Sequence, residues 1–287
     1  MLGLLYILLS SSFYGFSNAY WKKAIQGYSF LQVIFTRGLY TTTFFGMCYF
    51  ADYQWGMFTP WLGVRPAFDL VQLAQSLGLC IFSFFGLYFF VRSLKSKTVS
   101  LVAPISSINL FGLLTAVLLL GESWKISFSI AALCVLGGII LIFQNEWHFT
   151  SIRSFVKALG GSILASFFWG VSYALFKYPV AWLGVLPFSF LLELCVTLCV
   201  GGFLLFQKQK WQPIPQTPIR ILALCLILGT IFLNIAYKTA TVTQIIFVSK
   251  FQLILTLLFG QILYREKVKA LKLLGIALLV LSIYLVI

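Results

Sequence analysis

The sequence predicts an all-α integral membrane protein: ten transmembrane helices arranged as two inverted five-helix repeats. Three observations carry this. Of 287 residues, 61% are hydrophobic and only 9% charged. A soluble domain carries about a quarter charged residues, so this chain cannot cover a water-facing surface. Its apolar residues come in runs of about 20, enough for a helix to cross ~30 Å of hydrocarbon, not in the short alternating runs of a membrane barrel. Finally, one stretch of the chain occurs twice.

The ten spans are expected at 2–21, 28–50, 70–91, 98–121, 126–143, 158–176, 182–206, 221–237, 239–264 and 270–287. The fifth and eighth are barely long enough. The first lacks the basic start of a cleaved signal, and it recurs inside the chain. Leu9–Lys22, "LSSSFYGFSNAYWK", matches Leu164–Lys177, "LASFFWGVSYALFK", at seven of fourteen positions, offset by 155. Tyr14 meets Trp169, and Gly15 meets Gly170. Further on, Glu122 and Lys125 in "LLGESWK" meet Glu266 and Lys269 in "LYREKVK", offset by 144. The chain therefore divides into a first repeat at 1–143, a connecting loop at 144–157 and a second repeat at 158–287. Five is odd, so the second repeat enters the membrane upside down. Inverted repeats place a binding site near the bilayer midplane, between the halves.

The formal net charge is +14. The bases lie scattered through short loops, without a nucleic-acid motif, which reads as topology signalling and contact with anionic lipid. Fourteen lie on one face, in the turns 1–2, 3–4, 5–6, 7–8 and 9–10; Arg65, Lys125, Lys177 and Lys238 lie on the other, with both termini. By the positive-inside rule the fourteen face the cytoplasm and the termini lie outside. Cysteines 48, 80, 134, 195, 199 and 225 all fall in apolar runs, form no CxxC pair and read as small buried hydrophobes. The single histidine, His148, lies in a loop.

Four strongly polar residues sit nine to eleven residues into their runs: Arg37, Asn109, Glu193 and Lys250. A charge at that depth costs ~2.5–3.5 kcal/mol on insertion scales, so it faces partners or water inside the bundle. Lys250 is set at helical spacing from Thr239 and Thr243, a polar face suited to a cavity wall. Its repeat equivalent is Ser106, with Asn109 one turn on. Lys250 is thus a cationic anchor for a substrate carboxylate or phosphate, or else an ion-pair partner of Glu193. Arg37 reads as one half of a structural pair. Glu193, the one acid within a span, neutralises Arg37 or Lys250, or carries a coupling proton. Two bases against one acid leave one positive charge for an anionic substrate group. Tyr14, Trp169, Tyr173, Tyr20 and Tyr88 are candidates to line the cavity and stack on a ligand. Gly15 and Gly170 read as sites of close helix approach, and Glu122 and Glu266 as caps or local partners at span ends.

An intramembrane enzyme is disfavoured: the spans hold no histidine or aspartate, and a lone glutamate supplies no dyad. No ring of charges marks a channel, and no phosphate-binding loop marks an ATPase. No cofactor or metal is expected, and no nucleic acid. The partners are a small-molecule substrate and the lipid bilayer, with a monomer plausible.

The pattern resembles the EamA-type transporters of the drug/metabolite transporter superfamily. The likeness rests on the aromatic-glycine ends of the first helix in each half (Phe13–Trp21, Phe168–Phe176), on Arg37 in "FTRGLY" and on Leu120-Gly121-Glu122, with Tyr264-Arg265-Glu266 as its looser mate. The family's mid-helix proline is replaced by Asn109 and Leu253, Pro104 comes five residues early, and Glu193 stands at the second arginine position. The resemblance implies a basket of ten helices, the fifth of each half outside the cavity. It further implies transport of a small metabolite across the cell membrane and cytoplasmic termini, the opposite of the positive-inside reading. Amino acids and related carboxylates are the first expectation for substrate, then phosphorylated metabolites, then cationic or aromatic drugs.

Overall fold

The computed structural model describes residues 1–58, 69–144, 152–208, 212–265 and 270–287, and gives backbone alone at 96, 143 and 152–158. Arg65, His148, Lys210, Glu266, Lys267, Lys269 and half of the expected connecting loop lie outside the described residues. Among those described, the chain is helical throughout, with helices α1 Leu2–Ala24, α2 Phe30–Trp55, α3 Leu70–Ser96, α4 Val99–Ser106, α5 Leu110–Leu118, α6 Ile126–Phe143, α7 Ile152–Leu175, α8 Lys177–Leu183, α9 Val185–Phe206, α10 Gln216–Thr239, α11 Val242–Val248, α12 Lys250–Tyr264 and α13 Ala270–Tyr284.

Each expected span coincides with one helix or with a broken pair. Several boundaries differ: α2 runs on to Trp55 and α3 to Ser96, five residues beyond the expected ends, and three further differences change the reading of a loop or span. Helix α7 starts at Ile152, inside the expected connecting loop; α10 starts at Gln216, which makes the eighth span longer than expected; and α8 takes up the start of the seventh. By length and composition five stretches suffice to cross a bilayer: Leu70–Lys95, Val99–Leu118, Val185–Phe206, Gln216–Thr239 and Val242–Tyr264. A sixth is Leu159–Leu175 with Lys177–Leu183, bent by 41°. Helices α1 and α2 are long enough, but polar side chains dilute them. Ser10, Ser11, Ser17 and Asn18 on α1, and Gln32, Thr36, Arg37 and Thr41 on α2, are buried in the bundle, out of contact with lipid. Meanwhile leucines, isoleucines and phenylalanines such as Leu5, Phe50, Leu118, Leu205 and Ile262 are exposed on the outside. This inverted polarity, greasy outside and polar within, makes the protein a multi-pass membrane protein.

The helices pack in reciprocal fashion. Helix α1 lies against α10 and α12, while α7 lies against α3 and α4–α5; α2 packs on α9, and α6 on α13. Small residues permit the closest crossings, as expected where lipid supplies no hydrophobic drive for association. A Cβ on Gly15 would come within 2.9 Å of the Gln252 carbonyl on α12, and one on Gly170 within 3.0 Å of the Gly112 amide on α5. Gly138 and Gly275 meet each other where α6 crosses α13.

Two helical pairs are interrupted in mid-course. Between α4 and α5, Asn109 takes φ 50°, ψ 23°, a left-handed conformation that asparagine tolerates better than most residues. Between α11 and α12 the break is the single residue Ser249. At the first, backbone carbonyls leave the helical ladder, which hydrocarbon tolerates only when protein or a polar cavity supplies other partners; at the second, the Ser249 amide still donates to the Ile245 carbonyl and its carbonyl accepts from the Gln252 amide.

Candidate functional site

Both breaks open onto a cavity of about 110 Å³ in the middle of the bundle, enough for several waters or a small ligand group. One wall is the polar stripe of α1, from Ile7 through Ser10, Ser11, Tyr14 and Asn18 to Trp21. Beside it lie Leu226, Thr230, Asn234 and Tyr237 of α10, the helix on which α1 packs, and α7 adds Trp169 and Tyr173. Arg37, Ser83 and Glu193 come from α2, α3 and α9. Ser106, Ser107 and Asn109 at one break, and Ser249, Lys250 and Gln252 at the other, complete it. Neither α6 nor α13 contributes a lining residue.

Lys250 is fully enclosed, and its ammonium does not meet Glu193. Nζ donates to the Ser107 carbonyl (2.5 Å) and the Ile108 carbonyl (3.3 Å), two acceptors at the α4–α5 break. The cation thus sits at the carbonyl-rich C-terminal end of α4, where the helix dipole favours it. Among the described residues no carboxylate lies within ion-pair distance of it. Two of its three donor hydrogens are engaged, which leaves one for a further acceptor.

Arg37 and Glu193 form a buried ion pair between α2 and α9. Thr41 Oγ1 also donates to the same Oε2 oxygen, at 2.7 Å, and the guanidinium lies 5.7 Å from the Trp21 ring centre. The pair is incompletely satisfied: Arg37 Nε is buried without an acceptor among the described residues. The two charges cancel, so any net charge in the cavity rests on Lys250.

The aromatics fall into two matching arrangements. Tyr14 lies against Gly229 of α10, where a Cβ would come 3.2 Å from its ring, and its hydroxyl pairs with Thr230 Oγ1 at 2.8 Å. Trp169 lies even closer against Gly86 of α3 and stacks on Tyr173 with ring centres 6.0 Å apart. Tyr237 donates to the Tyr173 carbonyl at 2.6 Å, and Asn234 donates to Ser189 at 2.8 Å, so the α10 wall is tied to α7 and α9.

Of the residues singled out from the sequence, Lys250, Asn109, Ser106, Trp169, Tyr14, Tyr173, Arg37 and Glu193 all line this one cavity. Thr243 does not. Its hydroxyl and amide, with the Val242 amide, donate to Glu122 at 2.6–2.9 Å, capping α11. Thr239 ends α10, so it shares no helix with Lys250, and Thr243 lies on the other side of the Ser249 break. The supposed common face assumed an unbroken helix. Glu122, expected to act locally, reaches 120 residues along the chain to α11 and also pairs with Lys177 at 3.8 Å. Tyr20 stacks on Phe16 and Tyr88 on Phe203, both away from the cavity. Sequence reasoning passed over Asn18, Trp21, Asn234 and Gln252. Amides within apolar runs would have pointed to three of them, and nothing local to the fourth.

The EamA-like transporter family model matches the chain twice, over residues 1–144 and 156–287. Twenty chains of solved structures resemble it. One, a crystal structure described simply as that of a protein, shares the fold with a TM-score of 0.70 at 16% identity, covering 99% of this chain and 94% of its own. No curated protein matches the chain. Nearly every residue falls within the two family matches, and the polar cavity sits between broken helices of an all-helical membrane fold. The protein accordingly belongs to the EamA-like transporter family of the drug/metabolite transporter superfamily and is a membrane transporter.

Proposed function

We propose that the chain is a secondary transporter of ten membrane spans that moves a small organic metabolite bearing a carboxylate, an amino acid or a related compound, by alternating access through the central cavity. The ten spans form two inverted repeats, 1–143 and 158–287. The reciprocal packing of α1 and α7, and the matched pairs Tyr14–Gly229 and Trp169–Gly86, support this division. An exchanger and a proton-coupled carrier both fit it. The protein resides in the cell membrane with both termini on one side.

One observation carries the substrate class: the Lys250 ammonium, enclosed at the cavity wall with a donor to spare and no carboxylate beside it. An anionic group placed there would hold the lysine in its protonated form and meet that charge at low dielectric. Ser106 and Asn109 supply polar contacts at the same break, and Trp169, Tyr173 and Tyr14 supply stacking surface. A carboxylate matches one lysine better than a highly charged phosphate ester does, because the one nearby arginine is spent on Glu193.

The test is a thermal-shift screen of purified protein against amino acids, other organic anions, nucleotides and quaternary amines, followed by counterflow into proteoliposomes. Carboxylates should stabilise the protein and exchange. Stabilisation by quaternary amines alone would overturn the anionic reading in favour of cationic drug export.

A further inference from the structure

We propose that the groove between α2 and α10 on the outer surface is a binding site for an anionic glycerophospholipid, its phosphate held by Arg220. The groove has a volume of about 540 Å³, within the ~300–1,000 Å³ range of small-molecule sites, and is separate from the central cavity.

Its polar end is a chain of hydrogen bonds that orients one guanidinium. Gln216 Nε2 donates to the Ile214 carbonyl at 2.9 Å, which fixes the amide; Tyr40 then donates to Gln216 Oε1 at 2.9 Å. The Tyr40 oxygen in turn accepts from Arg220 Nε at 3.5 Å, and the guanidinium lies 6.0 Å from the tyrosine ring centre. With Nε engaged, the two Nη groups form a fork that has no acceptor and no carboxylate partner among the described residues. A planar fork held in this way suits the oxygens of a phosphodiester. Arg220 also lies near the start of α10, where the helix dipole adds to its positive potential.

Below this end the walls become apolar. Leu224 and Ile227 lie one and two turns deeper than Arg220, ~10 Å along the axis at 1.5 Å per residue. Phe44 and Met47 face them from α2, and Leu224 and Met47 are largely exposed at the protein surface. A charged mouth over a greasy trough in the membrane plane has the polarity of one lipid with its acyl chain lying downward. Charge complementarity selects an anionic headgroup. In the ten-span arrangement proposed above, Arg220 belongs to the set of loops whose sequence holds fourteen of the twenty bases against two acids.

Native mass spectrometry of delipidated protein, titrated with phosphatidylglycerol or phosphatidylcholine of identical chains, tests this. Wild type should retain phosphatidylglycerol preferentially, by about five-fold in apparent affinity, the ratio one interfacial base supplies. Arg220→Gln should abolish the preference, and Arg220→Lys should restore part of it. Ala223→Trp, which fills the groove floor, should release both lipids while the protein stays monodisperse. Equal retention of the two lipids by wild type, an undiminished preference in Arg220→Gln, or a second copy of the chain in place of lipid would overturn the assignment.

Discussion

Trp169 and Gly86 are packed so closely that a single added methyl at Gly86 would collide with the indole ring. The tryptophan thus owes its place on the cavity wall to the absence of a side chain on α3. Gly86→Ala should push the ring off its seat and weaken substrate binding by about ten-fold, the scale of losing one stacked aromatic contact. Gly78, on the same helix, has open space around its Cβ position. Gly78→Ala should leave affinity unchanged and stabilise α3 by ~0.5–1 kcal/mol. Isothermal titration and melting curves on the two variants separate these effects; equal affinities would detach Trp169 from the substrate.

Lys250→Met removes more than a charge. It strips the Ser107 and Ile108 carbonyls of their shared donor, at ~1–3 kcal/mol for each buried acceptor left unpaired. The variant should melt earlier than wild type and lose counterflow activity. Side-chain type by itself points the other way, since an apolar side chain in a membrane is cheap. Decisive is the ligand-induced shift: a carboxylate that stabilises wild type should not move the melting point of Lys250→Met. An unchanged shift assigns the lysine to backbone capping alone.

The Arg37–Glu193 pair lends itself to a double-mutant cycle. Glu193→Gln strands a buried guanidinium and should cost ~3–5 kcal/mol. Replacing both residues with apolar ones of similar size should recover most of that stability. If the double variant is stable yet transports without a pH gradient where wild type requires one, Glu193 carries the coupling proton. Normal gradient dependence in the double variant confines the pair to a structural role.

Gly138→Leu should force apart α6 and α13, whose backbones meet at Gly138 and Gly275. Overpacking of this kind costs ~1–3 kcal/mol. Neither helix lines the cavity, so substrate affinity measured below the melting point should match wild type. A large affinity loss would mean that the outer pair steers the cavity walls.

Much of this architecture was written in the chain. Apolar runs located the long helices, because hydrocarbon demands them, but not the short α8, which fills most of the expected turn between the sixth and seventh spans. Four polar residues in mid-run, Arg37, Asn109, Glu193 and Lys250, converged on one cavity, because a bilayer leaves such groups nowhere else to go. The helix breaks were not legible. Asn109 permits a left-handed residue without requiring one, and Ser249 is unremarkable in composition, so Thr243 was placed on the wrong surface. Nor could the partners of Lys250 be read, since backbone carbonyls have no signature in a sequence. Trp21 escaped notice for a similar reason: it looks like an interfacial anchor until the fold sets the Arg37 guanidinium beside it.

The exchange of partners between α1 and α7 bears on how the chain is made. Helix α1 leaves the ribosome long before its resting places, α10 and α12, which are synthesised about two hundred residues later. Until then Ser10, Ser11, Ser17 and Asn18 must wait in the bilayer without the neighbours that finally enclose them. The packing of α1 is complete only once α10 and α12 are in place. A chain severed within residues 145–151 should therefore yield a working protein only when both fragments are born in the same membrane, and each fragment expressed alone should be degraded.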